Sequence, residues 1–480
     1  MFLFVWVLLH VYVFAKLRVH DMFHMKEEIE KGEDQMKGLK RDITYVLVLS
    51  LPIIVENILQ TLLGTADTYF AGQLNDVAIA GVGVTNLMMN VFIAFFTAIS
   101  VGTSTIVSRY FGRKDYKNTN KAITQSLDIG IVLGLVVGLI CFVFARPILH
   151  ISGIEASVIS YVLPYFYIVT VPAIFLCLQL ILSSCFRSIK DTRTPMVATG
   201  ISNVINIGLN ALFIKMGMGV FGLGLATTIA RFIGVLLLFV KLKGHDANIM
   251  FTFKEFKVHK NILTSILTVG IPAGAEKLIM RIGQLLYNGM IISIGMSAYV
   301  AHNVAGTIES YAYIPAMGFG LAVATLVGTS LGEHNPQKAM HLTHVSYGIS
   351  VTIMLVIGVV FYIFAPQLAA LFTPTLEVQH MVVDVLRLIA FFQPFSALVQ
   401  IITNALQGAG DTKFPMYTTL VGIWGIRLGI GYLLAVYANL GLLGVWSAYA
   451  LDITVRGIVL FIRFYRGKWK TIKVLSTSTT

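Results

Sequence analysis

Apolar stretches of 18 or more residues recur about every 35 positions along most of this 480-residue chain, which constrains the fold more than any other feature. A helix needs about 20 consecutive apolar residues to cross the hydrocarbon core of a bilayer, so the pattern predicts around twelve spans. Lipid tails cannot satisfy a backbone N–H or C=O, and a helix satisfies both within its own segment. Composition agrees, with 56% hydrophobic and only 12% charged residues, roughly half the charge of a soluble domain. Spans are predicted at 43–71, 77–110, 120–147, 156–186, 194–216, 220–243, 262–294, 298–331, 339–365, 377–408, 414–438 and 441–465, leaving no room for a soluble domain. Cys141, Cys177 and Cys185 all sit in apolar segments without metal-ligand spacing and read as packing residues.

The net charge of +12 would suggest nucleic acid in a soluble chain, but its distribution gives another reading. Most Lys and Arg fall before residue 42, at 113–121, 187–193 and 241–260, at Lys338 and Lys413, and after residue 462. Connections on the other side hold only Arg146 and Lys215. Basic loops stay on the cytoplasmic side, so the chain is expected to be a multi-pass protein of the cell (inner) membrane with both termini and the 244–260 loop in the cytoplasm. There the basic clusters meet anionic membrane lipid, not nucleic acid. Residues 1–41 form a separate cytoplasmic or interfacial segment. Their apolar start at 2–15 is too short to span and lacks both a basic lead and a cleavage site, so it makes a poor signal peptide, and Met25 and Met36 are alternative starts.

Landmarks recur at one constant offset along the chain, without a gap: Pro52 and Pro272, Glu56 and Glu276, Gly112 and Gly332, Asp191 and Asp411, Thr192 and Thr412, Pro195 and Pro415, Met196 and Met416. Six spans per half is an even number, so both halves enter the membrane in the same direction. The expected fold is an all-α membrane protein of twelve transmembrane helices, in two six-helix lobes related by a pseudo-two-fold axis along the membrane normal. The amino-lobe is placed at 42–243, a loop at 244–261, the carboxy-lobe at 262–465 and a tail at 466–480. Parallel repeats of this kind build alternating-access carriers, whose substrate site lies between the halves.

Several short motifs have structural explanations. Asp191-Thr-Arg-Thr-Pro195 and Asp411-Thr-Lys-Phe-Pro415 combine a capping side chain with a proline at a helix start. Gly217-Met-Gly219-Val-Phe-Gly222 matches a dinucleotide fingerprint, but it joins two spans with no strand before it and reads as a tight turn. Gly130, Gly134 and Gly138 form a small-residue stripe for close helix contact. His20 and His24 lack a third ligand, so no metal site is expected, and the absence of a P-loop or a Ser/His/Asp set leaves nucleotide-driven pumping and catalysis without support.

Ionisable residues inside spans carry more information, since each costs about 2.5–3.5 kcal/mol on insertion scales and faces a partner or a cavity. They are Glu56, Asp67, Asp128, Arg231, Glu276, Arg281, Glu309, Asp384, Arg387, Arg427, Asp452 and Arg456. Asp384 with Arg387 and Asp452 with Arg456 have pairing distance along one helix. Asp67 has no basic residue within helical reach, so polar neighbours, a cation or a proton must hold its charge. The fifth span offers Asn203, Asn206 and Asn210, the last two on one face, and Thr227 and Thr228 follow in the sixth.

Leu51-Pro52 with Gln60 and Ala66-Asp67-Thr68, the run 102–112 with Val107-Ser-Arg109, and the repeated Asp-Thr…Pro-Met loops together resemble the multidrug and toxic compound extrusion (MATE) family, from about residue 42 to residue 465. The resemblance implies two six-helix lobes around a central cavity, with small cationic or amphipathic compounds exported against H⁺ or Na⁺ entry. It implies Asp67 as the coupling acid, in a polar cluster with Asn206, Asn210 and Thr228, where Asn210 replaces the Asp of some relatives. The carboxy-lobe acids of one bacterial branch fall on Met280 and Ser396 here, so that cation site is expected to be missing, with Glu276 one turn away. Expected cavity residues are Glu56, Gln60, Asn203, Glu276, Tyr287 and Glu309. No cofactor is called for, and a monomer is expected. The nearest alternative is a related flippase of a lipid-linked saccharide, disfavoured by the scatter of the intramembrane arginines. A membrane scaffold or receptor would not need the lone acid Asp67, and an intramembrane enzyme would need a nucleophile paired with a base.

Overall fold

The computed structural model describes residues 29–152, 156–243 and 258–475, with side chains from residue 38 onward except at 153–157 and 244–257. The apolar start at 2–15, His20, His24, Met25 and residues 244–257 of the long loop lie outside the described residues. The chain divides into two compact units, 1–47 and 48–480, and every side-chain contact described below lies within the second.

The amino half comprises α1 (Ile29–Gly72), α2 (Asp76–Gly112), α3 (Tyr116–Ile151), α4 (Ala156–Thr170), α5 (Ala173–Ser188), α6 (Arg193–Lys215) and α7 (Gly219–Lys243). The carboxy half comprises α8 (Lys260–Ile294), α9 (Met296–Gly332), α10 (Pro336–Phe372), α11 (Leu376–Ala390), α12 (Gln393–Ala409), α13 (Lys413–Leu420) with its continuation to Tyr437, and α14 (Gly441–Tyr465). Among the described residues eleven helices are long and apolar enough to cross a membrane, and a bent pair, α11 with α12, makes a twelfth span. The fold is therefore two lobes of six spans.

The repeat reaches the helix ends. Asp76, Tyr116, Ala156, Ala173 and Arg193 open α2 to α6, and Met296, Pro336, Leu376, Gln393 and Lys413 open α9 to α13, each at the offset that relates Pro52 to Pro272. Asp115 and Asn335, related by the same offset, cap α3 and α10 by accepting from the backbone N–H of Asn118 (3.1 Å) and Lys338 (2.9 Å). Two spans predicted as single helices, 156–186 and 377–408, are interrupted. Proline lacks an N–H and crowds the preceding turn, and Pro172 and Pro394 stand at these breaks; α11 and α12 meet at 59°. The Asp-Thr loops use their acids differently. Asp191 accepts from the N–H groups of Arg193 and Thr194, whereas Asp411 accepts from Arg463 Nε at 2.9 Å.

The halves lose register in one place. The starts of α7 and α14 lie two positions further apart than those of the preceding helix pairs, and the span between carries two π-helical runs, Val421–Ile430 and Leu433–Tyr437. A π-helical turn absorbs an extra residue without leaving the helix, so the inserted residues widen the coil and turn its side chains.

Across the halves, α2 packs chiefly against α8 and also against α9. A Cβ at Gly102 would strike the Ile266 carbonyl and one at Gly270 the Ala98 carbonyl, so glycine lets the two backbones touch. At the same end Arg109 of α2 donates to the carbonyls of Ala409 (2.6 Å) and Ile472 (3.1 Å), and Trp469 stacks on Phe464 with centroids 4.8 Å apart.

Candidate functional site

In the amino-lobe, α1 buries Asp67 against α6 and α7. Asp67 Oδ1 accepts from Asn210 Nδ2 and Oδ2 from Thr227 Oγ1, both at 3.0 Å. Asn210 also donates to Asn206 Oδ1 at 3.0 Å, and Asn206 donates to Thr227 Oγ1 at 3.2 Å, which closes a ring of four side chains. Asp67 is 5% exposed and the other three 1% or less. The spacing of Asn206 and Asn210, one turn apart, presents both amides to the same carboxylate.

Thr227 is also 3.1 Å from the Leu223 carbonyl. A hydroxyl has one proton and two lone pairs, so Thr227 serves an ionised Asp67 by donating to it, and a protonated Asp67 by accepting from it while donating to Leu223. The Thr227 hydroxyl thus has partners in both charge states of Asp67. Its oxygens also form the all-oxygen donor set that a hard cation takes, and Asn210 Oδ1 is buried without a partner.

Thr228 points elsewhere, donating to the Ile168 carbonyl at 2.6 Å, so the neighbour Thr227 completes the ring. Sequence reasoning counted Arg231 among the charges inside spans but did not bring it to Asp67; it lies one turn beyond Thr227 on α7 and within Coulombic range of Asp67. Its signal was the i,i+4 spacing from Thr227, which puts both on one face. Asn203 donates to the Leu59 carbonyl and ties α6 to α1.

The other predicted residues separate into groups. Glu56, 1% exposed, is held by Arg187 Nη1 at 3.2 and 3.0 Å and accepts from Gln60 at 3.4 Å. Its repeat mate Glu276 accepts from Gln407 Nε2 at 2.9 Å, and Gln407 is the repeat mate of Arg187. The two acids therefore brace the first helix of each lobe against α5 or α12. Tyr287 donates to the Val445 carbonyl at 2.9 Å, and Glu309 accepts from the Tyr449 hydroxyl.

In the carboxy-lobe the equivalent of the Asp67 ring has a different chemistry. Tyr287 is the repeat mate of Asp67, and Tyr449 takes the place of Thr227 once the two-position slip of α14 is counted; within the π-helical run Arg427 comes level with Asn206. Its guanidinium lies 4.3 Å from the Tyr449 ring centroid and 6.0 Å from that of Tyr287. Asp452 Oδ2 accepts from Arg427 Nη2 at 2.7 Å and from Arg456 Nη2 at 3.0 Å. Arg456 continues through Thr419 to Glu276. One wall carries an acid among neutral amides; its twin carries an arginine among aromatic rings.

Exposed polar residues at bilayer depth mark surfaces that meet water. Gln60, Thr65 and Thr68 of α1 and Asn303, Thr307 and Ser310 of α9 are such residues, and Thr65 meets Tyr311 across the halves at 3.5 Å.

The family pattern described as MatE matches residues 52–212 and again 272–433, one copy in each half. A probable multidrug resistance protein NorM of Thermotoga maritima is 28% identical over 443 residues, covering 90% of this chain and 94% of the relative. The uncharacterized transporter YisQ of Bacillus subtilis is 27% identical over 450 residues, covering 93% and 99%. A crystal structure of MATE in the bent conformation matches with a TM-score of 0.85 at 24% identity, covering 90% of this chain and 97% of that one, and shares its fold.

Proposed function

The chain belongs to the MatE family, whose members are membrane transporters and not enzymes, and on that premise we propose that it is a secondary active exporter of small amphipathic compounds, driven by H⁺ or Na⁺ entry through Asp67. The multidrug description of its Thermotoga relative supports a broad substrate range. The observation that carries the coupling role is the closed ring of Asp67, Asn206, Asn210 and Thr227. An ionised carboxylate at this depth is costly, so a proton or Na⁺ arriving from the high-potential side lowers the energy of the occupied state. The ion and the substrate favour different lobe arrangements, and each biases the equilibrium by its differential affinity. In this reading the protein works as a monomer without a cofactor, in the cell membrane with both termini cytoplasmic.

The test is transport of rhodamine B by proteoliposomes under separate H⁺ and Na⁺ gradients. Wild type should move the dye against its gradient under one of them. Asp67→Asn copies the protonated acid, so it should fold and insert normally and lose gradient-driven transport. A variant that still concentrates dye at near wild-type rate would move the coupling role away from Asp67.

A further inference from the structure

Helix α8 carries Lys277, Arg281, Gln284 and Asn288 at spacings of four, three and four, which places them in one stripe along the helix. Ile282 and Leu286, which the helical period turns away from that stripe, are exposed and apolar, as lipid-facing positions are. Cationic heads are costly against lipid tails, so the polar stripe faces the water-filled space between the lobes.

The two cations on it stand without counter-charge. Arg281 is exposed and donates to Gln284 Oε1 at 3.2 Å, and neither it nor Lys277 has a carboxylate partner among the described residues. Three buried or half-buried acids of the same lobe are engaged elsewhere: Glu276 with Gln407 and Thr419, Glu309 with Tyr449, Asp452 with Arg427 and Arg456. Like charges one turn apart repel, so nothing internal explains the pair. The repeat gives an internal control. The matching positions of α1 are Asn57, Thr61, Gly64 and Thr68, all uncharged, so the six-helix lobe does not require cations there.

We propose that Lys277 and Arg281 form an anion-recognition site on the carboxy-lobe wall, and that the exported compounds are amphiphiles bearing an anionic group such as a carboxylate. This rests on the export reading and narrows its substrate class from small amphipathic compounds to anionic or zwitterionic ones. A carboxylate between the two side chains relieves their repulsion and takes a bidentate bond from the guanidinium, while its apolar body lies along the neighbouring aliphatic and aromatic residues.

Three xanthene dyes of similar shape test it: rhodamine B and fluorescein, which carry a free carboxylate, and rhodamine 6G, in which that carboxylate is esterified. Binding is read by fluorescence polarisation on the full-length chain in detergent. Wild type should bind rhodamine B roughly tenfold more tightly than rhodamine 6G, about 1.4 kcal/mol. The double variant Lys277→Asn/Arg281→Thr, which copies α1, should erase that preference, and Arg281→Lys should keep most of it. An unchanged melting temperature of the double variant separates loss of the site from misfolding. Tighter wild-type binding of rhodamine 6G, or an unchanged preference in a folded double variant, overturns the proposal. So does competition for rhodamine B by dioleoyl phosphatidic acid but not by fluorescein, which would assign the wall to a lipid headgroup. Gradient-driven export of rhodamine 6G in preference to rhodamine B would keep the export reading and sink the anion site; the stated binding order without gradient-driven movement of either dye would sink the export reading alone.

Discussion

Thr227 and Thr228 differ by one position on α7, and that step of about 100° decides which hydroxyl reaches Asp67. Adjacent threonines cannot be told apart by composition, and the face of α7 that meets α1 depends on packing between helices far apart in sequence. Thr227→Val should therefore reduce gradient-driven transport by roughly tenfold, the scale of one lost hydrogen bond to a charged group, while Thr228→Val should leave the rate within about twofold. Equal effects of the two variants would show that the ring does not act as a unit. Glu56 offers a second residue-scale contrast, because its partner Arg187 is replaced by Gln407 at the equivalent place beside Glu276. Arg187→Met leaves a buried carboxylate without its counter-charge, with only the long bond from Gln60, and should cost about 3–5 kcal/mol of stability. Arg187→Gln reproduces the carboxy-lobe arrangement, so its melting temperature in detergent should lie clearly between those of wild type and Arg187→Met.

At the scale of elements, spans were legible because lipid demands long apolar helices, and their order followed from the gap-free repeat of Pro, Gly and Asp landmarks. The interruptions inside two of them were not, since Pro172 and Pro394 lie in apolar stretches long enough for one straight helix, and a proline there permits a kink as well as a break. The π-helical run was hidden for another reason: two extra positions between Lys413 and Gly441 lengthen the repeat offset without leaving any gap in hydropathy. Its effect is local but chemical, because it turns Arg427 toward Asp452 and the Tyr449 ring. Gly422 is the second residue of this run, and a Cβ there would run into Asp452 Oδ1. Gly422→Ala should then force the carboxylate off its arginines and destabilise the protein by about 1–3 kcal/mol, measured as a fall in detergent melting temperature. A Cβ on Gly425 would meet only Val421 Cγ1 at 4.0 Å, an ordinary contact, so Gly425→Ala should change the same temperature little, and equal shifts would remove the special position of Gly422.

For the whole molecule, duplication made two lobes from one pattern, and divergence then gave them different interiors. The acid of the amino-lobe stood out in the sequence because Asp67 has no basic residue within helical reach on its span. The arginine and aromatic cluster of the carboxy-lobe did not, because its members come from α8, α9, α14 and a span whose register had slipped. Alternating access requires the lobes to part at the end where α2 now rests on α8 and α9. Ser108 and Gly328 meet there, with a Cβ on Gly328 falling 3.0 Å from that of Ser108, slightly closer than the usual disulfide separation of about 3.5–4.5 Å. A small shift would bring the pair Ser108→Cys/Gly328→Cys into bonding range. Cys141, Cys177 and Cys185 are buried, so oxidant should act chiefly on the new pair. Oxidation should lock this end shut and stop gradient-driven transport while substrate still binds from the opposite side, and dithiothreitol should restore the rate. If the cross-linked protein transports at the rate of the reduced one, the α2 contact with α9 stays closed throughout the cycle and the lobes must part elsewhere.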